Sequence, residues 1–124
     1  MSSKVINNPE YVGPGIWYTM HSMAYYAQNP PDAFRFAQWI RWLSITFPCL
    51  TCREHFQLYL KNNPIDLSNQ EYYKGRRISL FKWTWKFHNT VNRRLNKPIV
   101  TWEAAYKPYD EPDATCHENC KAAP

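Results

Sequence analysis

No run in this sequence is long and apolar enough to span a membrane, and the opening Met1-Ser2-Ser3-Lys4-Val5-Ile6-Asn7-Asn8-Pro9-Glu10 lacks the apolar stretch a secretory signal needs. The expectation is a soluble protein without membrane insertion and not secreted by a signal peptide. No strand-like alternation and no internal repeat occurs, which excludes sheet-rich and solenoid folds. No arginine-rich tail or recognised nucleic-acid motif is present either. Net charge is nevertheless +5, with Lys74, Arg76, Arg77, Lys82, Lys86, Arg93, Arg94 and Lys97 gathered in one segment. Such a cluster can hold a phosphate-bearing ligand or nucleic acid, or form a solvated helix face.

What the chain does have is aromatic side chains and two close cysteine pairs. Aromatics make up 17% of the 124 residues, more than a small helical core requires, and flat rings also wall pockets for flat ligands. The length suits one domain. Four cysteines without a secretory signal point to redox chemistry or metal binding rather than structural disulfides.

Cys49-Leu50-Thr51-Cys52 follows Pro48 and opens a helical stretch in which Cys52, His55, Phe56 and Tyr59 share one face. A thiol at a helix N-terminus meets the positive end of the macrodipole, which favours the thiolate that exchanges disulfides. Around this stretch the punctuation predicts further helices. One begins after Gly13-Pro14-Gly15 and carries Trp17, Met20, His21, Ala24 and Gln28 until Asn29-Pro30-Pro31. A second starts at Asp32 as N-cap and places Phe36, Ile40, Leu43 and Phe47 on one side up to Pro48. The cysteine helix is the third and ends near Asn62-Asn63-Pro64. Ser68-Asn69-Gln70-Glu71 has the form of a capping box at a brief turn, and Phe81, Trp85, His88, Asn92 and Leu95 form one stripe of a fourth helix ending before Pro98. Thr101 caps a short fifth helix through Tyr106, and the polar residues from Pro108 read as a flexible tail. The fold expected is all-α: a four-helix bundle with a short fifth helix, made of an extension at 1–12, a domain at 13–107 and a tail at 108–124 holding Cys116 and Cys120.

Three motifs in order carry a family likeness: Gly15-Ile16-Trp17-Tyr18-Thr19-Met20-His21, Pro48-Cys49-Leu50-Thr51-Cys52-Arg53-Glu54-His55-Phe56, and Trp85-Lys86-Phe87-His88-Asn89-Thr90-Val91-Asn92-Arg93-Arg94-Leu95-Asn96-Lys97-Pro98. Over about residues 13 to 106 the chain resembles the Erv/ALR family of FAD-dependent sulfhydryl oxidases. The resemblance implies a helical bundle, usually a homodimer, that binds FAD and oxidises dithiol proteins, thioredoxin-like ones among the candidates, passing electrons to dioxygen with release of hydrogen peroxide. By it, Cys52 is the flavin-proximal catalytic sulfur and Cys49 the outer one. Gly13, Gly15, Trp17, His21, Phe47, His55, Trp85, His88, Asn89, Val91, Asn92, Leu95, Lys97 and Trp102 then fall at cofactor-binding positions, with Arg94 as a neighbour, and Cys116 and Cys120 become an electron shuttle to the active-site pair. Taken singly, His21 and His88 fit hydrogen-bonded core histidines equally well, and Trp17 and Trp85 fit core packing.

The family's structural disulfide is missing, because Trp85 and Ile99-Val100-Thr101-Trp102 stand where its cysteines would be. Together with His55-Phe56 this matches the quiescin-type and large-DNA-virus branches, and the compact chain favours the viral kind. The location implied is the host cytoplasm, a viral assembly site or the virion. Two other readings of the cysteines remain: a four-thiolate zinc site, whose pairs would here be separated by unusually many residues, and a thioredoxin-like reductase, which needs a strand where residues 36–47 read helical. No metal ligand set is assigned.

Overall fold

The computed structural model describes residues 9–110. Five helices are present among them: α1 (Pro9–Tyr26), α2 (Pro30–Thr46), α3 (Leu50–Asn62), α4 (Ser79–Arg94) and α5 (Trp102–Asp110). A two-residue hairpin, β1 (Tyr72–Tyr73) and β2 (Arg76–Arg77), lies between α3 and α4. The all-α expectation holds, and no described helix is long and apolar enough to cross a membrane.

Helix α2 buries Phe36, Ile40 and Leu43, and its C-cap Phe47 is buried after them, the spacing read from sequence. These side chains join Met20 and Ala24 of α1, Phe56 of α3, Leu80, Phe81 and Phe87 of α4, and Tyr106 of α5 in one apolar core. Helix α4 is central. Its Thr84 and His88 side chains bond α1 through His21, its Phe87 packs on Phe56 and Tyr59 of α3, and its Trp85 and Asn89 hold the segment leading to α5.

Several boundaries differ from those expected. Gly13-Pro14-Gly15 does not start α1 but lies inside it. Asn29, not Asp32, caps α2: its Oδ1 accepts from the Asp32 N–H at 2.9 Å, with Pro30 and Pro31 in the first turn. Proline is suited to that turn because its missing N–H would have no helical partner there. Ser68–Glu71 forms no capping box. Asp66 accepts from both the Ser68 N–H and hydroxyl, while Glu71 pairs with Lys82 at 2.6 Å. The hairpin was not expected; Lys74 (φ 53°) and Gly75 (φ 79°) form a turn with two left-handed residues, the geometry that matches strand twist.

Helix α5 also runs past its expected end at Tyr106, through Pro108 to Asp110, so the tail cannot begin at 108. Packing overrides the proline: Tyr109 lies 4.6 Å from the Tyr25 ring and 5.2 Å from Phe81, and its hydroxyl shares a 2.7 Å bond with Ser22. Leu95, expected on the inner stripe of α4, is instead its exposed C-cap, because the helix closes there. The Asn96 N–H donates to Arg93 and the Lys97 N–H to Asn92, a Schellman closure with Asn96 left-handed at φ 57°.

That closure sets the direction in which the Lys97 segment leaves the bundle. Asn96→Val should lower stability by about 1–2 kcal/mol, since a β-branched residue is strained at this φ, whereas Asn96→Gly should be neutral or better. Thermal unfolding of the two variants measures the difference, and equal losses would reject the strain.

Candidate functional site

Residues 47–52 form an elbow between α2 and α3. The Phe47 carbonyl accepts a bond from Arg53 Nε, and Gln57 donates to the Ser44 carbonyl at 3.1 Å. These ties aim the start of α3, where Cys49 is the N-cap and its sulfur accepts the Cys52 N–H at 3.3 Å. Neither Arg53 nor Gln57 stands out in the sequence, because each acts on a main-chain carbonyl that only the fold brings near.

Both cysteines are half-buried free thiols packed against the core. The helix terminus was expected to favour a thiolate, yet the Cys52 thiol is pushed up to about 12. Burial is the main cause, followed by the hydrogen bond and charge of Cys49, and only Arg94 and the Cys52 main-chain N–H act in the other direction. A terminal dipole contributes under about 1 kcal/mol at an ordinary surface site, too little to offset desolvation plus a second sulfur.

One turn on from Cys52, His55 enters the wall of an open groove of about 660 Å³ between α3 and α4. Tyr59, Phe87 and Val91 supply apolar wall, and Arg93 and Arg94 supply cations. Trp85 and Asn89 line it as well, so four residues assigned to cofactor binding meet here: His55, Trp85, Asn89 and Val91.

The other assigned residues are distributed around this groove. Trp17, His21 and His88 stack in the seam between α1 and α4, with Trp17 and His88 rings 4.1 Å apart and 6° from parallel. The edge of Trp17 reaches Phe87, so seam and groove share one aromatic wall. His21 bonds Thr84 Oγ1 at 2.8 Å and His88 at 2.9 Å. Burial holds both rings down to about 4, helped by His88 acting on His21 and by Lys97 acting on His88. Phe47 is a core residue, and Asn92 is buried with its amide 3.5 Å from Asn89. Trp102 stands in a cluster with Tyr73, Phe81, Trp85 and Tyr106. A Cβ added at Gly13 or Gly15 would meet no other side chain or main chain, so packing within the protein does not require glycine at either position. Cys116 and Cys120 lie outside the described residues.

Asn89 and Trp85 do more than line the groove. Asn89 donates to the Val100 carbonyl and accepts from the Val100 N–H, both at 2.9 Å, and Trp85 Nε1 donates to that carbonyl at 2.8 Å. The clasp holds the Lys97 segment against α4 where no cysteine pair is available.

Much of the basic cluster is committed elsewhere. Arg77 is buried and donates to Leu67, Asn69 and Ser79; Arg76 lies 4.3 Å over the Tyr25 ring; Lys74 pairs with Asp110 and Lys82 with Glu71. The cations left to a ligand are those of the groove and Lys97. Among the described residues no group of three or more His, Cys, Asp or Glu side chains could hold a metal ion.

With this geometry in place, the sequence profile of the Erv1 / Alr family matches residues 14–110. The chain is 35% identical over 102 residues to the FAD-linked sulfhydryl oxidase of African swine fever virus (isolate Tick/Malawi/Lil 20-1/1983), covering 80% of each. It is 31% identical over 115 residues to the FAD-linked sulfhydryl oxidase ERV1 of Oryza sativa subsp. japonica, covering 86% of this chain and 55% of that one. The crystal structure of the yeast Erv1 core superposes with a TM-score of 0.66 at 27% identity, over 80% of each chain.

The depressed histidines give the seam a pH signature. Unfolded histidines take up protons near pH 6.5 and the folded pair only near 4, so stability is complete above about 6.5 and is lost as the pH falls towards 4. Unfolding free energies from urea titrations should fall by a few kcal/mol between about pH 7 and 4.5, and a flat profile would mean that the folded rings take up protons as readily as the unfolded ones.

Proposed function

We infer the activity from the premise that the chain belongs to the Erv1 / Alr family: it is a FAD-linked sulfhydryl oxidase. The observation that supports this best is the half-buried Cys49/Cys52 pair beside a groove with aromatic walls and a cationic rim. The residues fit the cofactor. Tyr59 and Phe87 offer flat surfaces to ring systems, Arg93 and Arg94 offer donors to a pyrophosphate, and Lys97 lies close enough to act on His88.

We propose that the Cys49–Cys52 disulfide receives electrons from a substrate dithiol. A substrate thiolate attacks the Cys49 sulfur, the Cys49–Cys52 bond breaks, and Cys52 leaves as a thiolate with Arg94 as its stabilising cation. The second substrate thiolate then displaces Cys49, forming the substrate disulfide and leaving both protein cysteines reduced. In the reduced pair Cys52 holds its proton, so its deprotonation is the step that burial opposes and Arg94 assists. FAD, when bound, would supply the two-electron acceptor for this pair, with dioxygen as the final oxidant and hydrogen peroxide as the product.

The proposal extends to a homodimer, to a dithiol protein substrate of thioredoxin-like kind, and to Cys116/Cys120 as a shuttle from substrate to the Cys49/Cys52 pair. It also extends to disulfide formation in a host cytoplasm, at a viral assembly site or in the virion.

Visible absorption of the purified chain should show oxidised flavin bands, and a colourless protein that resists FAD reconstitution would reject the activity. Cys52→Ser should keep the bands and lose turnover by at least about a hundredfold, because no disulfide can form; normal oxygen consumption would refute its role. Ser at both Cys116 and Cys120 should slow oxidation of a protein dithiol while sparing a small one, and equal losses on both would exclude a shuttle.

A further inference from the structure

The hydrogen bonds in the α1/α4 seam have only one consistent proton order. Thr84 is fully buried, and its Oγ1 lies 2.6 Å from the Phe81 carbonyl oxygen. Two oxygens do not stay at that distance without a proton between them, so the single hydroxyl proton of Thr84 points at Phe81. Towards His21, 2.8 Å away, the Thr84 oxygen can then only accept, which places a proton on His21 Nδ1. A neutral imidazole carries one ring proton, so His21 Nε2 is bare and His88 Nδ1, at 2.9 Å, must donate to it. By the same count His88 Nε2 is bare too. Neutrality of both rings agrees with their burial and with the cation of Lys97 near His88. The chain of donors runs His88, His21, Thr84, Phe81 carbonyl, and it ends on a main-chain oxygen that has no proton to return.

We infer that Thr84 is a positioning residue for the site: through His21 it holds His88 in the Nδ1–H form, so the ring stacked on Trp17 offers a ligand only an acceptor, Nε2. The matching ligand edge is a donor, a hydroxyl or amino group. Resting on the flavin reading above, this divides the dinucleotide between two kinds of partner: a hydroxyl or amine edge for His88, and phosphate oxygens for the cations of Arg93, Arg94 and Lys97. His88 is thereby excluded as a phosphate donor.

The test is nitrogen-15 NMR of the imidazole rings in the full-length, FAD-loaded chain at pH 7, joined to FAD titration of the refilled protein. The expected wild-type spectrum has His21 and His88 each protonated at Nδ1 and bare at Nε2. Thr84→Val keeps the shape but removes the hydroxyl; the tautomers should become mixed and FAD affinity should fall roughly 5–10-fold, about what one lost hydrogen bond produces. Thr84→Ser should restore both. A wild-type spectrum with His88 protonated at Nε2 overturns the lock without any variant, so a poorly folding Thr84→Val does not protect it. An affinity loss in Thr84→Val that leaves the tautomers unchanged, or that Thr84→Ser does not rescue, also overturns it by reducing Thr84 to packing. A wild-type chain that binds no flavin, yet shows the Nδ1–H pair, overturns the flavin reading while the tautomer lock survives.

Discussion

Helix α4 buries polar groups on several faces at once, and each of them must find a partner inside the protein. Thr84 is satisfied by Phe81 and His21, and Asn89 by both main-chain groups of Val100. These pairings set the register of α1 against α4 and pin the Lys97 segment to the helix. A hydrophobic core alone would tolerate sliding by a residue or rotation of a ring; a buried hydroxyl or amide left without its partner costs about 1–3 kcal/mol, which removes that freedom. The positions of Trp17 and His88, and the exit of the chain at Asn96, follow from this constraint.

The cysteine pair illustrates a competition between two electrostatic effects. Its place at the start of α3 favours negative charge, and Cys49 uses that place by capping the helix with its sulfur. Cys52 lies beside that same sulfur, and its burial outweighs the helix terminus. The division suits an exchange reaction in a FAD-linked sulfhydryl oxidase. Cys52 is held as a neutral thiol until charge from Arg94 or from a bound ligand helps it ionise.

Core positions were legible where periodicity is strong. The 36, 40, 43, 47 spacing of α2 and the shared face of Cys52, His55, Phe56 and Tyr59 reappear in the structure. Helix ends were less legible, because proline has opposite meanings by position: Pro30 and Pro31 open a helix, while Pro108 is carried within one by the packing of Tyr106 and Tyr109. The hairpin left only the brief signal of Lys74-Gly75, too short for any alternation to show. Of the residues assigned to a ligand, His55, Trp85, Asn89 and Val91 line one groove, whereas Trp17, His21 and His88 lie in a neighbouring seam that touches it through Phe87. Thr84 went unassigned, although a threonine four residues before His88 on a buried stripe is the kind of polar exception that marks such a network.

Composition, periodicity and motif order by themselves determined the helical class and the family, because these depend on local spacing and on side-chain chemistry. Tertiary structure alone decided that the Cys52 thiol is pushed up, which of the clustered cations are paired, and which histidine nitrogen carries the proton. Those properties depend on distances between residues far apart in the chain, such as His21 to Thr84 and Cys52 to Arg94, and on the water excluded when they meet.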